Sequence, residues 1–183
     1  MERVMKNPWI AAMALGLALS ATAVQAEERK ESEKAEAAEA AAKGPALAAA
    51  LKDVKISLEA GLKASESEGK PISGKFEIED GKLQLSVYTE KDGKFFEVIV
   101  DHATGKVAKS EPITGGEDLE AAQSQSKAMA KAKGSLADAV AKAVKANSGY
   151  RAVSVASEIE GGAANAEVGL LKGASSKSVD EKL

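Results

Sequence analysis

One histidine, His102, and no cysteine set the ceiling on the chemistry of this 183-residue chain. A serine–histidine pair would have to rest on that single imidazole, and a multi-histidine metal centre has no second ligand of its kind. His102 stands in Asp101-His-Ala-Thr-Gly105, just after an alternating apolar stretch. Asp and Thr side chains bond nearby backbone and Gly accepts positive φ, so these residues read as a strand exit and turn with an exposed ring. Carboxylates crowd the same region: Glu77, Glu79, Asp80, Glu90, Asp92, Glu97 and Asp101. On alternate strand positions Glu77, Glu79 and Glu97 share one face, the place for a weak Ca²⁺ site. Their spacing is not that of an EF-hand, and Lys75, Lys82, Lys91 and Lys94 lie among them, which favours a solvated face. The glycines fall at strand ends and linkers, and no Gly-x-Gly-x-x-Gly opens a helix. The chain therefore reads as non-enzymatic, with no catalytic residue, cofactor or bound metal expected.

The elements that would carry these residues repeat. Phe76 and Ile78, then Leu83, Leu85 and Val87, then Phe96, Val98 and Val100 each alternate with polar neighbours. Strict alternation means one face on a core and one in water, as in an antiparallel sheet beneath a helix. Asp80-Gly81 and Asp92-Gly93 are the tight turns between the three strands. The skeleton returns at an offset of 81 (158 − 77): Glu77-Ile-Glu-Asp-Gly81 is matched by Glu158-Ile-Glu-Gly-Gly162, and Val87 by Val168. Ala164, Ala166, Val168 and Leu170 form the second inward row, and Ser176–Asp180 a thin third strand. A Ser-Leu helix start precedes each copy, at Ser57-Leu58 and Ser135-Leu136. Before the first, Leu47, Leu51, Val54, Leu58 and Leu62 form one apolar stripe, with Ser57 a candidate N-cap that leaves one helix or two open. Before the second, Ser135-Leu-Ala-Asp138 is close to a capping box.

The first 26 residues read as a cleaved signal peptide. Arg3 and Lys6 supply positive charge, Trp9–Leu19 is an eleven-residue apolar run, and Val24-Gln25-Ala26 offers small residues before Glu27. Cleavage is expected between Ala26 and Glu27. The run is shorter than the roughly 20 residues that span a bilayer, so no stable membrane anchor is expected after processing. The chain would be periplasmic or secreted, and without cysteine its fold stands on packing alone. Its formal charge of −3 is made of interspersed signs, which argues against nucleic acid as a partner. Residues 27–45 form an Ala/Glu/Lys helical spacer with nothing large to bury.

The residues Ser57–Ala60, Gly74-Lys-Phe-Glu-Ile78 and Asp92-Gly-Lys-Phe-Phe-Glu-Val-Ile-Val-Asp101, closing on Thr104-Gly105, resemble the PepSY domain, an exported module named for peptidase propeptides. The resemblance covers about residues 46–108; the second copy lacks an equivalent of Ala103-Thr104-Gly105. It implies an α+β fold, often paired, and a role in restraining peptidases or serving as an envelope accessory, without an active site.

These readings together give an α+β protein of two PepSY-like modules, each a helix on a small antiparallel sheet. The divisions are signal peptide 1–26, helical spacer 27–45, repeat one 46–112, a linker with a helical approach 113–134, and a degenerate repeat two 135–183. The expected function is an exported protein-interaction module, peptidase-associated, that binds another envelope protein. The alternative is a small-ligand or divalent-metal-binding envelope protein using the carboxylate-rich face. Tyr88, Phe95 and Ile99 point away from the expected core face and form the candidate protein-interaction patch, either exposed to a partner or covered by the rest of the chain.

Overall fold

A computed structural model describes residues 44–183. The signal peptide, its cleavage point at Ala26–Glu27 and nearly all of the spacer lie outside the described residues.

Alternation and turn chemistry build the strands as the residues dictate. β1 (Lys70–Glu79), β2 (Lys82–Lys91) and β3 (Lys94–Val100) form a meander, and β4 (Val107–Ile113) adds a fourth antiparallel strand. Both two-residue turns have positive φ throughout: 48° and 76° at Asp80-Gly81, 53° and 72° at Asp92-Gly93. That is the hairpin turn whose twist matches the strands it joins. The second meander comprises β5 (Arg151–Glu160), β6 (Ala163–Lys172) and β7 (Ser175–Lys182). Each strand begins 81 residues after its counterpart (151 − 70, 163 − 82, 175 − 94). The irregularity between Pro71 and Ser73 also recurs, between Ala152 and Ser154. The thin third strand is real, and it is longer than the alternation indicated.

The two meanders do not form separate small sheets. They join into one seven-stranded antiparallel sheet in the order β4-β3-β2-β1-β5-β6-β7. β1 and β5 are the inner edges of their meanders, and pairing them satisfies backbone groups that would otherwise stand open. The join is short: Ser73↔Ala156, Gly74↔Val155 and Lys75↔Ser154. Gly74 and Val155 are themselves 81 apart, so the join lies on a local two-fold between the copies.

The apolar stripe before β1 is two pieces. Residues 44–50 are helical, Leu51–Asp53 is a 3₁₀ turn, and α1 (Leu58–Ser65) starts afresh where the Ser57 hydroxyl accepts from the Ala60 N–H at 3.3 Å. The helical approach read within the linker is α2 (Gly116–Lys131), and the first residue of that linker closes β4. α3 (Leu136–Ala146) follows, capped by Ser135 Oγ accepting from the Asp138 N–H at 3.1 Å.

α1 and α3 pack side by side on one face of the sheet. Gly61 makes the close approach of α1 possible: a Cβ there would stand 2.4 Å from a Leu85 methyl. Beneath these helices Leu58, Leu62, Leu85, Val87, Val98, Val100, Leu136, Val140, Val155, Val168 and Leu170 are all essentially inaccessible. α2 lies on the other face, where Gln125 Oε1 accepts from Ser73 Oγ at 2.7 Å. Two residues expected in the core row are exposed instead, Ile78 at 38% and Ile159 at 44%. They stand 81 apart, each beside a hairpin turn at a tip of the sheet.

The two halves also hold each other's helical segments. The Arg151 guanidinium, at the start of β5, donates to Leu51 O at 2.9 Å and Ile56 O at 2.8 Å, just before α1. Its carbon lies 5.4 Å from the Phe76 ring centroid. At the matching position in β1, Lys70 Nζ donates to Met129 O in the last turn of α2 at 2.7 Å.

Candidate functional site

Register places Ser73, Lys75 and Glu77 on the same face as Tyr88, Ser86 and Gln84, and β3 contributes Glu97 and Ile99 to it. The shared outer face expected for Glu77, Glu79 and Glu97 is therefore present. Its polar groups bond to each other. Lys75 Nζ lies 2.8 Å from Glu77 Oε2 and 5.9 Å from the Tyr88 ring centroid. Ser86 Oγ donates to Glu77 Oε1 at 2.9 Å, and Gln84 Nε2 donates to Ser86 Oγ at 2.9 Å and to Glu79 Oε2 at 3.1 Å.

This face is not the solvated surface that the charges suggested. Lys75 and Glu97 are buried, Ser86 completely so. Burial pushes the Glu97 carboxyl above its ordinary range; Ser86 opposes the shift, Glu77 and Glu79 add to it by repulsion, and Lys75 pulls it back. Asp118, in the first turn of α2, is also raised, first by burial, with Lys75 opposing. Lys75 thus supplies a cation among Glu77, Glu79, Glu97 and Asp118. Among the described residues no group of three or more His, Cys, Asp or Glu side chains is arranged to hold a metal ion.

The expected interaction patch needs correction. Tyr88 is 5% and Phe95 9% exposed, both within the hydrophobic core, and Ile99 is half-buried. α2 runs across this face, fixed by Gln125 to Ser73 and by Ser126 Oγ donating to Glu90 Oε2 at 3.4 Å. The signal for this cover was the spacing of Ala121, Ala122, Gln125, Ala128 and Met129, the buried stripe of α2. Small side chains let a helix lie close while leaving its sequence polar on average.

The Asp101–Gly105 stretch is the turn it was read as. Asp101 Oδ1 accepts from the N–H groups of Ala103 at 2.8 Å and Thr104 at 2.9 Å, which holds its carboxyl below the ordinary range, and Gly105 has φ +75°. The His102 ring, expected to be exposed, is half-buried; its Nδ1 is shielded and has no hydrogen-bond partner, while its carbonyl accepts from the Lys55 N–H at 3.1 Å.

A feature missed from the sequence is a groove of about 550 Å³ at the meeting of three helix ends and the β1–β2 hairpin base. Leu62, Met129, Leu136 and Pro71 give it an apolar floor, and Lys91, Lys133, Glu66 and Asp92 rim it with both signs of charge. Its walls come from residues between positions 62 and 138, so no single segment announces it.

Compared with protein-family models, curated proteins and solved structures, the chain finds no match.

Proposed function

We propose that the chain is an exported, non-enzymatic interaction module of two PepSY-like units, which engages a segment of an envelope protein, a peptidase in the first instance. The groove between α1, α2, α3 and the β1–β2 base is the observation that carries this reading. Its size suits one or two side chains of a bound segment, and its rim suits a chain carrying charge of either sign. The 81-residue recurrence of strands, turns and bulges supports the two-unit description, as do the residues that resemble the family. The buried Tyr88 and Phe95 are part of the scaffold in this reading, and the groove takes over the role first given to them.

The test is affinity capture from an envelope extract with the wild-type chain and with Lys91→Glu/Lys133→Glu. Both lysines are exposed on the rim, so the double variant keeps the fold and changes the rim's charge. A protein retained by the wild type and lost with the double variant supports the groove. Equal retention by both chains places the binding surface elsewhere, and retention of nothing by the wild type counts against an interaction module.

A further inference from the structure

Among the described residues the sheet is open, ending in β4 on one side and β7 on the other. Open edges pair with other strands unless something prevents it. β4 is protected, because exposed Pro112 lacks the N–H that an added strand would need. β7 has no proline and no bulge. It pairs with β6 residue for residue from Ser175↔Lys172 to Lys182↔Asn165.

The Leu183 N–H donates to Ala164 O at 3.1 Å, and this fixes which groups of β7 are free. In an antiparallel ladder hydrogen-bonded pairs alternate with non-bonded ones. Residues 175, 177, 179 and 181 therefore turn their backbone groups toward β6. Ser176, Ser178, Asp180 and Lys182 turn theirs away from the sheet.

We propose that β7 is the interface of a homodimer, pairing antiparallel with β7 of a second copy about a two-fold axis through Val179. Outward-turned residues must face outward-turned residues, which leaves few registers. The register centred on Val179 sets Lys177 against Glu181 of the second copy, twice by symmetry. It also sets Ser178 against Asp180 and Ser176 against Lys182, with Val179 facing its own mate. Centring on Ser178 instead puts Lys177 opposite Val179, and centring on Asp180 puts two aspartates face to face. Only the first register sets opposite charges face to face, Lys177 against Glu181 twice, with no like charges opposed, and opposed charges across a strand pair are favourable while like charges are not.

The Lys177 and Glu181 side chains both lie on the α3 side of the sheet and already have partners there. Lys177 Nζ lies 2.5 Å from Asn147 Oδ1 and 4.5 Å from the Tyr150 ring centroid, and Lys142 Nζ lies 2.5 Å from Glu181 Oε2. Both partners of the new ion pair are thus kept on the α3 side of the sheet before the copies meet. The contact is self-complementary, as a two-fold interface must be.

The chain has no cysteine of its own, so single cysteines report the register directly. A non-hydrogen-bonded antiparallel pair has Cα atoms about 4.5 Å apart, within reach of a disulfide. Under mild oxidation Val179→Cys is expected to give a covalent dimer, whereas Lys177→Cys, displaced from its own mate by several residues, gives little. Sedimentation of the cysteine-free chain should show mass doubling as concentration rises. Lys177→Glu or Glu181→Lys alone should weaken association at least tenfold, and the two together should restore it. Circular dichroism confirms that each variant is folded. A monomer at every concentration, equal cross-linking at 177 and 179, or a double reversal that fails to restore association overturns the proposal.

Discussion

Replacing Arg151 by Met should loosen both halves of the protein at once. Methionine keeps an apolar stem against Phe76 and removes the guanidinium. Two charged hydrogen bonds go with it, at 2.9 Å to Leu51 O and 2.8 Å to Ile56 O. Charge-assisted bonds contribute about 1.5–3 kcal/mol each. Arg151 is only partly buried, its pKa lowered first by desolvation, so the low end applies. Leu51 O keeps a second donor, the Val54 N–H at 3.4 Å, which softens its loss. The contact with the Phe76 ring adds about 0.5–1 kcal/mol. The expected cost is therefore about 2–4 kcal/mol, a large part of the 5–15 kcal/mol typical of a whole domain. In urea, with a slope of about 1–3 kcal/mol per molar, the midpoint should fall by about 1–2 M at unchanged slope. Arg151→Lys places one point charge where two carbonyls need a fork, and should recover about half the loss. Amide exchange in residues 51–57 should quicken in the Met variant before global unfolding. A midpoint change under about 0.3 M, or full recovery with lysine, would refute the reasoning that this side chain clasps the first half to the second.

Two further outcomes follow from the opposite face. Tyr88→Ala should cost about 3–5 kcal/mol in denaturant melts, the scale for emptying a buried aromatic; a loss below about 1 kcal/mol would mean that α2 does not cover the ring. Glu97→Gln should stabilise the fold at neutral pH and leave it nearly unchanged near pH 4. Its raised carboxyl pKa means that the fold holds a proton more tightly than the unfolded chain does, so that contribution is present below the ordinary value of about 4.5 and is lost as pH rises through the raised one. Denaturation midpoints of both chains between about pH 4 and 7 check this; a gap that widens toward acid reverses the sign of the argument.

What the sequence made legible was whatever period two and turn chemistry encode. The Phe76 and Leu85–Val87 alternation, the Asp-Gly turns and the 81-residue recurrence all locate strands, and Ser57 and Ser135 locate helix starts. The grouping of Glu77, Glu79 and Glu97 follows from the same period. β4 was hidden because an edge strand needs no apolar face, and Val107-Ala-Lys-Ser-Glu-Pro-Ile113 offers little alternation and a proline. α2 was legible as a helical approach, but its role as a cover was hidden because its buried stripe is mostly alanine, with Gln125 bonded rather than apolar. Without that role for α2, nothing could show that Tyr88 and Glu97 are covered. The pairing of β1 with β5 depends on backbone edges, which carry no side-chain pattern, and the groove is assembled from separate segments between positions 62 and 138.

The short join between β1 and β5 has a consequence for the order in which the chain acquires its structure. The β1–β2, β2–β3, β5–β6 and β6–β7 hairpins each close over a two-residue turn, whereas Gly74 meets Val155 only after a loop of 81 residues (155 − 74) has closed. Hairpins form in about 1–10 μs, while distant pairings must first overcome the entropy of the long loop. The two meanders therefore form early and independently, and the central three-pair contact forms late, as the slow event. Until then β1 and β5 both stand open. During that interval the first meander of one chain can meet the second meander of another, so the yield of refolding will fall as chain concentration rises.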